Sequence, residues 1–229
     1  MASTVRPYLC LCGILLVIAV VMVRASKTGP ASSIAGKDQT RVATPLGDVE
    51  VEVHNPGSAN LAVCIHGMNS ALAHEWGDVV AAPLAQLGYR VLVPNLHSNP
   101  RTKPGTISRE DFSRVALALA GGSPAMWLGK SWGGANVAAF AADHPKAVER
   151  LVLDAPALSV SDISQIGNRL NMARAPLLLL WAEDDSVIPF NHATAWRTAC
   201  SHAQLTSVAV GGHRILEAYV ETILSFAKA

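Results

Sequence analysis

The chain has 229 residues, half of them apolar, enough for one domain with a full core and with nothing to suggest a second. Its 18 basic and 17 acidic side chains leave a formal charge of +1 and no long run of either sign, so nucleic acid is not an expected partner. No metal-ligand cluster such as H-E-x-x-H and no phosphate-cradling Walker loop occurs, so neither a metal nor a nucleotide cofactor is expected.

In chain order, the first feature is Pro7 to Val23 (PYLCLCGILLVIAVVMV), an uncharged apolar run closed by Arg6 and Arg24. It reads as a membrane-targeting segment spanning residues 1 to 24. Its length falls between signal-peptide cores and transmembrane helices and favours an uncleaved single-pass anchor, with secretion after cleavage at Val23-Arg24-Ala25 as the alternative. Arg24, Lys27, Lys37 and Arg41 behind the run outnumber Arg6 and the terminal amine, which places the domain on the cytosolic side. Of the four cysteines, Cys10 and Cys12 lie in this run, Cys64 in an apolar strand candidate and Cys200 near a helix end; no paired framework results. Residues 25 to 39, small and polar, read as a flexible linker. The folded unit is expected from Thr40 to the end, as a monomer.

Val49 to Val53 alternates like a strand with one wet face, and is the expected antiparallel member. Leu61 to Ile65, Val91 to Pro94, Ala125 to Leu128, Leu151 to Leu153, Leu177 to Trp181 and Leu205 to Val210 are short apolar runs, as suits strands buried on both faces. Between them fall helical segments at Glu75 to Leu87, Arg109 to Leu119, Gly133 to Asp143, Asn191 to Ser201 and Ile215 to Ala227, several stopped by Gly or Pro. Strand and helix in alternation predict an α/β protein: a mainly parallel sheet flanked by helices on both faces.

Gly129-Lys130-Ser131-Trp132-Gly133 fits G-x-S-x-G, directly after one strand and directly before a helix, the setting of a nucleophile elbow. A serine held on a sharp strand-to-helix turn projects into open space, and side chains at Gly129 or Gly133 would strike neighbouring elements. A hydroxyl nucleophile needs a base and a group to orient that base, in the order Ser, acid, His. Two later segments meet that order. Glu183-Asp184-Asp185 follows the strand ending at Trp181, and Gly211-Gly212-His213 follows the last strand. His213 is the candidate base, with His192 and His202 as rivals. Asp185 is the candidate acid; Asp184, Asp154 and a helix-capping role compete with that reading.

From about residue 45 to 228 the chain resembles the α/β-hydrolase family, on His66-Gly67 after an apolar strand, the elbow at Ser131, the acidic turn ending Val187-Ile188-Pro189, and Gly212-His213. The resemblance implies a catalytic set of Ser131, Asp185 and His213, with Asp185 preferred because Pro189 aligns with the proline that usually closes the acid turn. It also implies an oxyanion hole from the backbone N–H groups of Met68 and Trp132. The activity it implies is cofactor-free cleavage of an ester or thioester through an acyl-serine, the substrate being a small or acylated molecule; acyl transfer and non-catalytic binding are the alternatives. Ser131 excludes the aspartate-nucleophile chemistries of some relatives.

Departures from the family pattern are specific. Pro94 to Pro100 (PNLHSNP) lacks the acid and glycines usual in that loop, Ala182 stands where glycine is usual, and Lys130 stands where histidine is frequent, expected solvated or paired. Only about twenty residues separate Leu153 from Leu177, room for a loop and a short helix but no lid domain, so short or exposed acyl groups are expected. His66 is expected to shape the oxyanion loop rather than act as a base. The Trp132 indole either lines the pocket or packs, and Trp76 and Trp196 are expected in the core.

Overall fold

A computed structural model describes residues 37 to 229 except 70, 72 and 215. The run expected as a membrane segment, with Cys10 and Cys12, lies outside the described residues; among those described, no helix is long and apolar enough to cross a membrane.

Eight strands form one sheet: β1 Lys37–Thr44, β2 Gly47–His54, β3 Asn60–Ile65, β4 Tyr89–Asn95, β5 Ala125–Lys130, β6 Val148–Asp154, β7 Leu177–Ala182 and β8 Gln204–Val208, in the spatial order β1-β2-β4-β3-β5-β6-β7-β8. From β4 to β8 the pairing is parallel throughout, whereas β1 pairs β2 and β2 pairs β4 in antiparallel fashion. The first strand is not among those predicted. Its sequence KDQTRVAT carries three charges, and no residue in it is fully buried. A charged outer strand deters edge-to-edge pairing with another chain, which is why it lacks the apolar signature of the inner strands. It begins at Lys37, so the last residues assigned to the linker belong to the sheet.

The inner strands are buried on both faces, and their alternation divides the core. In β7, Leu177, Leu179 and Trp181 join one apolar cluster with Trp127, Phe112, Phe140 and Trp196, while Leu178 and Leu180 face another with Trp76, Leu84, Tyr219, Ile223 and Phe226. Helices α2 Arg109–Ala120, α3 Trp132–Asp143, α4 Val160–Ala173 and α5 Asn191–Ala199 cover the first face; α1 Ala82–Gln86 and α6 Val220–Lys228 cover the second. Trp76 and Trp196 are buried as expected. The β6–β7 connection holds α4, longer than the short helix expected, and no lid.

The helix expected from Glu75 is shorter and differently wound. Gly77–Ala81 form a wide turn in which the Ala82 N–H reaches back to the Gly77 carbonyl, and α1 follows for five residues. Pro83 has no N–H to donate into an ordinary α-helical ladder, and a wide turn ahead of it removes the demand. By contrast α2 is a regular amphipathic helix: Ser108 accepts from the Asp111 N–H at its start, and Gly121 closes it in the left-handed region at φ 60°.

Candidate active site

All the predicted site residues lie at one edge of the sheet, where the parallel strands end. Ser131 joins β5 to α3 with φ 51° and ψ −116°, a conformation that side-chain-bearing residues rarely adopt and that the surroundings must enforce. Three backbone bonds do so: the Ser131 N–H donates to the Asp154 carbonyl (2.8 Å), and its own carbonyl accepts from Ala135 (3.0 Å) and Ala157 (2.9 Å). The glycines supply clearance. A Cβ on Gly129 would lie 2.8 Å from the Gly133 carbonyl oxygen, and one on Gly133 would lie 2.5 Å from the Ile65 carbonyl oxygen and closer still to that of His66. The elbow is therefore pressed against the end of β3.

Asp185 and His213 meet. The imidazole Nδ1–H donates to Asp185 Oδ2 at 2.7 Å, leaving Nε2 as the free acceptor. Asp185 Oδ1 accepts from the N–H groups of Val187 (2.8 Å) and Ile188 (2.9 Å), so the carboxylate is fixed before it engages the ring. Its side chain is 1% exposed and that of His213 is 15% exposed. The remaining link, imidazole to Ser131 hydroxyl, is not among the hydrogen bonds formed; such bonds are often long without substrate and tighten on binding.

The rivals have other tasks. Asp184 Oδ1 accepts from the N–H groups of Gly211 (2.9 Å) and Gly212 (2.7 Å), pinning the loop that carries His213. Sequence alone did not expose that role, although an acid beside the acid is its trace. Asp154 pairs with Lys130. His202 bonds the Ala175 carbonyl (2.9 Å), and His192 stands on α5. Lys130 is paired, as one of its two expected states, but it is buried at 3% exposure rather than solvated.

The loop after β3 faces the elbow. His66 is fully buried; its Nδ1–H donates to the Gly67 carbonyl (2.7 Å) and its Nε2 accepts the Leu96 N–H (3.1 Å), which requires a neutral ring. Burial pushes it down to about 4, consistent with that bonding. His66 thus shapes the loop, as expected. His97, from the atypical PNLHSNP loop, stacks on His66 at 5.3 Å and donates from Nε2 to the Met68 carbonyl (3.1 Å). Glu75 accepts the Gly67 N–H (2.8 Å), and burial raises its carboxyl above the usual range. Sequence reading passed over both His97 and Glu75. The position a Cβ on Gly67 would take is 3.7 Å from Ser131 Cβ, so the loop borders the serine. Trp132 opens α3, where its N–H has no intrahelical acceptor, and its indole stands edge-on to Phe112 at 6.0 Å: it packs.

The strand order, the strained elbow at the end of β5 and a His–Asp contact from the loops after β8 and β7 together define an α/β-hydrolase-fold protein. Residues 61–166 match the model of the family described as alpha/beta hydrolase fold. No curated protein gives a significant match. Among solved structures, a predicted CIB-like hydrolase from Thermoplasma acidophilum superposes with a TM-score of 0.69 at 16% identity, covering 85% of this chain and 100% of its own. Naproxen esterase from Bacillus subtilis gives 0.65 at 17%, covering 83% and 91%. The thioesterase domain from the curacin biosynthetic pathway gives 0.66 at 15%, covering 84% and 99%.

Proposed function

We propose that this protein is a serine hydrolase that cleaves a carboxylic ester or thioester through an acyl-Ser131 intermediate. The observation that carries the reading is the 2.7 Å contact between His213 Nδ1 and an Asp185 carboxylate already held by two backbone amides. A ring held through Nδ1–H keeps Nε2 unprotonated, the form a base needs to take the Ser131 proton.

His213 takes the hydroxyl proton as Ser131 attacks the acyl carbon, and Asp185 stabilises the imidazolium that forms. The N–H groups of Trp132 and Met68 receive the oxyanion, a charge that exists only in the transition state and is therefore selectively stabilised. His97 donates to the Met68 carbonyl, one peptide unit beyond the Met68 N–H, and so ties down the loop that carries it. The imidazolium then protonates the departing alcohol or thiol, and water, activated by the same ring, releases the acid. Because α4 alone bridges β6 and β7, little covers the acyl site, which favours short acyl groups or an acyl group exposed on a larger molecule.

Covalent labelling by a fluorophosphonate tests the nucleophile. The wild type is expected to label and Ser131→Ala to lose the label; an unlabelled wild type would turn the reading towards ligand binding without catalysis. Esters and thioesters of graded chain length test the acyl preference, and a steep optimum at long chains would contradict it.

A further inference from the structure

One buried ion pair at the reactive edge is not used by the steps above. Lys130 and Asp154 are the last residues of β5 and β6 and stand opposite each other in the parallel register. Their side chains are 3% and 5% exposed, and Nζ meets Oδ2 at 2.5 Å. Alternation along β5 sends Lys130 to the same side as Met126 and Leu128, the face covered by α1 and α6. Such a pair is costly to desolvate, and apolar replacements of similar volume often serve stability as well or better, so stability alone does not account for it.

Its position does. The backbone carbonyl of Asp154 is the acceptor for the Ser131 N–H, so the pair locks together the two strand ends on which the elbow rests. Asp154 is also a second carboxylate within electrostatic reach of the His213–Asp185 couple. Burial raises its carboxyl above the ordinary range, Lys130 and then His213 draw it down, and Asp185 raises it again. Several other charged or titratable groups lie in the same neighbourhood. Asp184 lies in the turn after β7, Glu75 in the loop after β3 and Arg214 directly after His213, and Tyr219, just ahead of α6, carries a buried hydroxyl without a partner among the described residues. Glu75 and Asp184 are each held by backbone N–H groups.

We propose that Lys130 is a positioning residue for the Ser131–His213 couple: it cancels the charge of Asp154, leaving Asp185 as the carboxylate that governs the imidazole, and it ties the elbow to β6. This rests on the acyl-serine reading. Lysine in the G-x-S-x-G motif thereby acquires a function. It is an electrostatic counterweight, facing away from the serine it adjoins.

The test is the rate of fluorophosphonate labelling of the full-length protein as a function of pH. Asp154→Asn leaves the Lys130 cation unopposed, disfavours a second positive charge on the imidazole, and moves the pH of half-maximal labelling down by about one unit, roughly a tenfold faster rate on the acid side. Lys130→Met/Asp154→Asn removes both charges and returns the half-point to its wild-type position. Lys130→Arg keeps the charge and keeps the half-point. Losses of labelling in Asp154→Asn and in the double variant with the half-point unmoved would reduce the pair to packing and overturn the proposal. Should Asp154→Asn fail to fold, Lys130→Met is the second arm: an unopposed carboxylate moves the half-point up, and an unmoved one is again fatal. A wild type that does not label at all is a different result, because it removes the acyl-serine reading itself.

Discussion

Replacing Gly133 by alanine adds one methyl group where the elbow meets the end of β3. That methyl would sit 2.5 Å from the Ile65 carbonyl oxygen and 2.9 Å from its carbon, against an ordinary contact of 3.4–4 Å. The neighbours are backbone atoms of a strand hydrogen-bonded on both sides, so relief requires α3 and β3 to part by about 1 Å. Gly133 lies in the first turn of α3, where alanine would otherwise gain up to about 1 kcal/mol in helix propensity. Overpacking a rigid site costs about 1 to 3 kcal/mol, and immovable backbone places this case at the upper end. The expected net loss is about 2 kcal/mol, or about 4 to 8 °C in Tm for a protein of this size. Displacing a reacting group by about 1 Å should also lower turnover by roughly a hundredfold. Urea and thermal unfolding of the full chain give the first quantity and ester hydrolysis the second. Gly57→Ala is the control, since no atom lies within 4 Å of its Cβ position and the φ there is not positive; its stability should stay within about 0.5 kcal/mol of wild type. If Gly133→Ala matched the wild type in both assays, the claim that glycine is required by close approach would fall.

Two further outcomes follow from contacts at the same edge. Asp185→Asn presents an amide N–H or a weaker acceptor to the ring and should cut hydrolysis by about 10⁴-fold, while Asp184→Asn retains an oxygen for the Gly211 and Gly212 amides and should cost less than about tenfold; equal losses would mean that the acid is misassigned. His66 is held neutral at about 4, below its unfolded value near 6.5, so the unfolded chain binds the proton first as pH falls. Stability is therefore unaffected above about pH 6.5 and should drop by about 3 kcal/mol between about 6.5 and 4, and a His66→Asn variant that kept the whole of that slope in pH-dependent urea unfolding would refute the assignment.

How much of this was legible beforehand depends on what each element buries. Strands such as LLLLWA in β7 declare themselves because both faces are covered and every residue must be apolar. The outer strand β1 meets the core on one side at most and is spelled in charges, so no strand was expected there and its first three residues fell to the linker. The wide turn ahead of α1 escapes notice because the sequence around it still has helical composition, and the missing N–H of Pro83 decides the winding. In the site, the elbow motif, the chain order and the family's acid-turn proline pointed to Ser131, Asp185 and His213, and the last two are in contact. The Lys130–Asp154 pair, in contrast, joins residues 24 apart in sequence, and strand register alone puts them face to face. Pattern reading has no access to register between parallel strands until the sheet is assembled.

The direction of β1 settles where the described domain is attached to what precedes it. Lys37 pairs with His54, which in turn pairs with Val91 near the start of β4, so the chain enters at the pole of the sheet opposite the serine. The point of entry and the end of the sheet that carries Ser131 and His213 are thus separated by the length of a strand, and neither crowds the other.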